Sequence, residues 1–220
     1  MDTNKYGNQD EKEKKRSLSP AEQKRLIEFE KLSDSMIENG YKRVDLTISI
    51  VKANIFAIIL LIPLFVIGVG AFVLYNKDTV SFSQSPLEFI IFVLSFIAAI
   101  FVHEGIHGLT WSMFTPHGFK DIEFGFMKQY LTPYCTCKVP LQKSQYILGA
   151  IMPFLVLGVL PMIIGVLCNS WLTLFFGIIM ADSAAGDLMI IYHILRYKTN
   201  AKDLVYIDHP TQGGGVVFEK

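Results

Sequence analysis

Phe101-Val102-His103-Glu104-Gly105-Ile106-His107-Gly108 closes an apolar run that has the length and character of a membrane span. The stretch reads H-E-x-x-H. On a helix, residues four apart share a face, so His103 and His107 can hold one metal ion together. Glu104 stands beside them, where a general base would have to be to activate a metal-bound water. An ionisable residue inside a span is costly and marks a functional site by default. The motif alone recurs by chance in many proteins, so its weight depends on its surroundings.

The surroundings are those of a membrane protein. The chain has 220 residues, one domain by length. Its apolar share of 51% and mean hydropathy of +0.39 are too high for an ordinary soluble domain of that size. Formal net charge is zero, so nothing draws the whole chain towards nucleic acid. Cys135, Cys137 and Cys168 form neither a disulfide framework nor a C-x-x-C pair. Cys135 and Cys137 would share a face on a strand, which leaves a metal or redox reading open beside the blander one of small residues packing. The first 49 residues are polar and charged, so the first apolar run is expected to act as a signal anchor.

Residues 1–18 are rich in Lys, Glu, Asp and Asn and are expected to be disordered. Residues 19–49 read as a cytoplasmic amphipathic helix and linker. Ser19 suits an N-cap, Pro20 the first turn, Glu22 the capping box and Gly40 the stop. Leu26, Phe29, Leu32 and Met36 recur at helical spacing between them. Residues 50–195 hold four apolar spans, near 53–75, 87–114, 146–167 and 171–195, each close to the roughly 20 residues that cross a bilayer. Pro153 and Pro161 are expected to kink the third. Between the second and third spans, Asp121–Phe126 and Tyr134–Val139 alternate polar with apolar. They predict a β-hairpin or re-entrant β-loop, with Thr132-Pro133 at its turn. Such an edge could accept an extended peptide by strand addition. Residues 196–220, with Gly213-Gly214-Gly215, read as a flexible cytoplasmic tail, since the glycine run lacks the context of a phosphate loop.

Lys and Arg distribution sets the expected orientation. The segment before the first span holds 11, the 76–86 loop one, the 115–145 loop four, the 168–170 turn none, and the tail from Arg196 four. Both termini and the 115–145 loop are therefore expected in the cytoplasm. His103 then lies 16 residues into the second span from the outside, and Asp187 16 residues into the fourth. At 1.5 Å per residue both sit about 24 Å from the outer entry and can meet at one level. No Lys or Arg lies between Lys77 and Lys120, or between Lys143 and Arg196. The carboxylates of Glu104, Asp182 and Asp187 thus lack basic partners in their own spans, and a bound cation would supply the missing charge. Asp187 is the favoured third ligand, because Gly186 and two alanines let its backbone approach a neighbouring helix. Asp182 is an alternative ligand or a group orienting one, and His193 a weaker alternative. His117 and His209 fall outside the spans and read as surface residues.

These residues, with Ile122-x-Phe124-Gly125-Phe126, Pro133-Tyr134, Pro140-Leu141, Ile147-Leu148-x-Ala150-x-x-Pro153-Phe154 and Ala185-Gly186-Asp187-Leu188, resemble the membrane zincin peptidase family, bacterial multi-pass proteins long carried as a domain of unknown function. The arrangement is also similar in outline to site-2 proteases, although Ala-Gly-Asp-Leu is not their usual aspartate motif. The resemblance implies zinc and peptide hydrolysis.

The expectation is an all-α membrane protein of four transmembrane helices with a cytoplasmic-side β-loop. It is placed in the cell membrane, with a peptide or membrane-protein substrate and the lipid bilayer as partners and no nucleic acid. His103, His107 and Asp187 would bind Zn2+, and Glu104 would be the catalytic base. A non-catalytic metal-binding membrane protein, a sensor or partner subunit, would keep the three ligands and not need Glu104. An ion or proton pathway through Glu104, Asp182 and Asp187 would need a continuous polar route, for which the first and third spans offer few residues.

Overall fold

A computed structural model describes residues 18–79, 85–127 and 132–220. The disorder expected of residues 1–18 falls almost wholly outside them. Helix α1 (Pro20–Glu38) starts where the sequence indicates: Ser19 Oγ accepts from the Glu22 N–H at 3.3 Å, and a Glu22 oxygen accepts from the Ser19 N–H at 2.8 Å. Gly40 ends it with φ +87°, a left-handed conformation that costs glycine little. Strand β1 (Lys42–Thr47) follows where a linker was expected. Helix α2 (Ile50–Asn76) is apolar almost all round, with Ile58, Ile62 and Val66 outward. Helix α3 (Pro86–Ser112) opens with a second capping box, Ser85 with Glu88. Glu88, the acid at the start of this apolar helix, satisfies the Ser85 N–H and is favoured at a helix N-terminus.

Strands β2 (Ile122–Met127) and β3 (Thr132–Cys137) pair antiparallel, Ile122 opposite Cys137 and Met127 opposite Thr132. The predicted hairpin strands are present, but Thr132 and Pro133 lie within β3 and are not its turn. Strand β4 (Leu141–Gln142) leads into α4 (Lys143–Pro153), a π-helical stretch over Phe154–Val159, and α5 (Leu160–Leu167). Proline lacks the N–H that would continue the ladder, and the irregular stretch lies between the two prolines expected to kink this span.

The predicted fourth span is two helices, α6 (Trp171–Ser183) and α7 (Ala185–Arg196), bent by 46°. Among the described residues, three helices are long and apolar enough to cross a membrane, or four if the bent pair counts as one. Ala184 and Ala185 are buried at the bend, whereas a side chain at Gly186 would meet nothing within 4 Å. The close approach expected of Gly186 is thus made by the alanines, and Gly186 faces open space.

The all-α expectation needs a larger correction. Strands β5 (Leu204–Asp208) and β6 (Gly214–Glu219) replace the flexible tail. They join β1 and β4 in an antiparallel sheet of order β1-β6-β5-β4. Both faces of this sheet are covered. Ile207, Val216 and Phe218 pack under Phe29, Leu32 and Met36 of α1. Tyr206 and Val217 pack with Leu46, Trp111, Tyr146 and Ile194. Burial on both faces, at about 25 cal/mol per Å² of apolar area, accounts for strands that read as continuous apolar runs.

Candidate metal centre

Three donor atoms converge where α3, α4 and α7 meet. His103 Nε2 lies 3.1 Å from Asp187 Oδ2, and His107 Nε2 lies 3.5 Å from Asp187 Oδ1. One donor atom from each of the three residues falls within 4.8 Å of the others, a spacing that one ion could bridge. Both histidines are buried, at 8% and 5% exposure. Asp182 and His193, the alternatives for the third position, are not in this group. His193 lines a separate small cavity with Tyr192, Arg196 and Leu46.

Local structure aims each donor. His107 Nδ1 lies 2.8 Å from the Gly149 carbonyl oxygen. A carbonyl only accepts, so Nδ1 carries the proton and donates, and Nε2 keeps its lone pair for a cation. The His107 ring stacks on Trp111, centroids 5.1 Å apart and planes at 15°. Trp111 Nε1–H donates to the Tyr146 carbonyl at 3.2 Å. Gly149 permits this layering, because a Cβ there would come within 2.0 Å of Trp111 Nε1. Asp187 owes its place to the bend at Ala184, which puts it in the first turn of α7. Unpaired N–H groups and the helix dipole favour a carboxylate there. Two histidine nitrogens and a carboxylate oxygen, with one histidine's other nitrogen already engaged, are a donor set that suits zinc.

Glu104 reaches the same space from the other side, and its carboxylate accepts the backbone N–H of Cys135 in β3. Glu104, His107 and Asp187 share a cavity of about 300 Å³, walled also by β3, Gly186 and the loop 208–214. The two motif glycines differ. Gly105 opens onto empty space, while a Cβ on Gly108 would strike Phe124 at 2.4 Å, so Gly108 serves packing of α3 on the hairpin. Burial pushes the Cys137 thiol up to about 12 and raises that of Cys135.

The sequence reading missed one wall. Asp208, at the end of β5, accepts from the Tyr146 hydroxyl at 2.5 Å and from the Cys137 N–H at 2.7 Å. His209 is no surface residue. It is half-buried on the cavity wall, and its Nδ1 accepts the N–H groups of Thr211 at 3.3 Å and Gln212 at 3.1 Å. Burial lowers its pKa to about 4, Asp45 and Glu30 opposing and Arg43 assisting. His117, by contrast, is exposed and bonds Asp121. A signal for the missed wall existed: Leu204-Val205-Tyr206-Ile207 and Val216-Val217-Phe218 are strand-like runs either side of Pro210 and three glycines.

The family whose description reads "Putative zincin peptidase" matches residues 96–202, the stretch that carries His103, Glu104, His107 and Asp187. No curated protein and no solved structure matches the chain.

Proposed function

We propose, from that family and this donor geometry, that the chain is a zinc-dependent membrane peptidase cutting a peptide bond near the cytoplasmic face. His103 Nε2, His107 Nε2 and an Asp187 oxygen would hold the ion. Zinc bound there would supply Lewis acidity to polarise the scissile carbonyl and acidify water. Glu104 takes a proton from the attacking water on its carboxylate and returns it to the departing amine nitrogen. The Cys135 N–H holds that carboxylate in position beforehand. Gly186, with open space in front of its Cα, leaves room for the substrate backbone. An extended substrate would lie along the β2–β3 hairpin.

In this reading α2, α3, the α4–α5 unit and the bent α6–α7 pair form four spans, with both termini and the hairpin cytoplasmic. The outward apolar side chains of α2 and α3 and the alternation of Lys and Arg among the loops support it.

The observation that carries the proposal is the convergence of the three donors, two of which, His107 and Asp187, share a cavity with Glu104. Glu104→Gln tests it. The variant should keep one zinc per chain by metal analysis and lose at least about 100-fold in proteolysis, within the range for a missing general base. Full proteolysis by this variant would refute the mechanism. A wild-type protein with zinc and no proteolysis of any substrate tried would favour the sensor or partner subunit.

A further inference from the structure

Asp208 lies outside the residues matched to the family, in a segment read from sequence as a loose tail. Its two carboxylate oxygens are spent in different directions. Oδ1 takes the Tyr146 hydroxyl of α4, and Oδ2 takes the Cys137 N–H of β3. Each partner leads to the metal centre by one further contact or two.

On the first side, Tyr146 is buried at 2% exposure, and its backbone carbonyl receives Trp111 Nε1. Trp111 in turn stacks on His107. One helical turn of α4, Tyr146 to Gly149, therefore grips both the His107 Nδ1 proton and the ring beneath it. On the second side, Cys137 and Cys135 are two apart in β3, so their N–H groups point to the same edge. Cys137 gives its N–H to Asp208, and Cys135 gives its own to Glu104. The hairpin beyond Asp208 is shaped to allow this. Gly214 has φ +100°, and a Cβ on Gly215 would come within 3.0 Å of the Tyr146 hydroxyl.

We infer that Asp208 is a positioning residue, which ties α4 to β3 and so fixes the spacing between His107 and the Glu104 carboxylate. The inference rests on the peptidase reading above. A carboxylate with two short bonds is stiff, and groups that orient ligands from behind commonly contribute 10- to 100-fold in metal affinity or activity. Asparagine at 208 keeps the size, loses the charge and can accept with only one of its two terminal atoms.

The test uses the full chain in detergent, as wild type, Asp208→Asn, Tyr146→Phe, the double variant and Glu104→Gln. Zinc affinity is read by chelator competition, ligand geometry by the visible absorption of the cobalt-loaded protein, and turnover on β-casein as separate kcat and KM. Asp208→Asn should weaken zinc about tenfold, shift the cobalt band and lower kcat with KM nearly unchanged. Tyr146→Phe should shift the band the same way, and the double variant should bind zinc no worse than Asp208→Asn alone. Glu104→Gln should leave zinc affinity and the cobalt band as in wild type. Should Asp208→Asn fail to fold, the Tyr146→Phe spectrum decides, since the ring and its packing are retained. Zinc affinity within twofold of wild type together with an unmoved cobalt band, in whichever variant folds, overturns the positioning role. A wild type that binds no zinc instead sinks the peptidase reading itself.

Discussion

Gly177 and Gly149 are both pressed by a neighbour, and the neighbours differ. A Cβ on Gly177 would meet the Met162 backbone nitrogen at 2.5 Å and the Gly158 carbonyl at 2.7 Å. Around it Phe72, Leu174 and Ile178 form a cluster of side chains with no polar atoms. A Cβ on Gly149 would meet the indole nitrogen of Trp111, and the Gly149 carbonyl is itself a hydrogen-bond partner of His107. One region of the helix bundle is held mainly by shape, with the buried Asn76 amide donating to the Phe72 and Val166 carbonyls, and the other by directed bonds. In the first, stability is a matter of volume, and many residues share it. In the second, each bond fixes one side chain of the candidate site, so a change of a single atom can alter the site and leave the fold in place.

The comparison can be broken by variants that should fall on opposite sides of it. Asp187→Ala removes one donor of three and should bring bound zinc to background by metal analysis, while the thermal midpoint of metal-free protein stays within a few degrees of wild type. A large fall in that midpoint would show that the polar region carries the fold after all. Gly177→Val should do the reverse. Overpacking two backbone contacts should cost at least about 2 kcal/mol, seen as a lower thermal midpoint, with zinc per folded chain unchanged. Lost zinc in the folded fraction would mean that the two regions are coupled.

A smaller effect sharpens the comparison through pH. His209 titrates near 4 in the folded chain and near 6.5 unfolded, because burial disfavours its charged form. The unfolded state then binds the proton more readily. This contribution to stability is complete above about pH 6.5 and is lost as the pH falls towards 4. At pH 5.5 the loss should be about 1 kcal/mol, read as faster corrected hydrogen exchange in β5 and β6 than at pH 7.5. Equal protection at the two pH values would place His209 outside the determinants of the hairpin.

What could be read in the sequence follows the same division. The approach of His103, His107 and Asp187 to one another was legible because helical spacing is rigid and residue counts along two apolar runs match. The capping boxes at Ser19 and Ser85 follow from local chemistry of four residues. The bend at Ala184 was not legible: Ser183-Ala184-Ala185 contains no proline, and packing of the two alanines is a tertiary matter. The four-stranded sheet escaped because its central strands are buried on both faces and show no alternation. Asp208 escaped with them, since its partners Tyr146 and Cys137 are 62 and 71 residues away.

The strand order β1-β6-β5-β4 has a consequence for time. Residues 42–47 wait in the growing chain for residues 214–219, and every apolar helix is synthesised in between. Translation at about 5–20 residues per second separates the two strands by roughly ten seconds or more. Only in its last few seconds are His103, His107 and Asp187 all made while the wall that contains Asp208 is not. The nascent protein therefore passes through a period with donors present and their support absent.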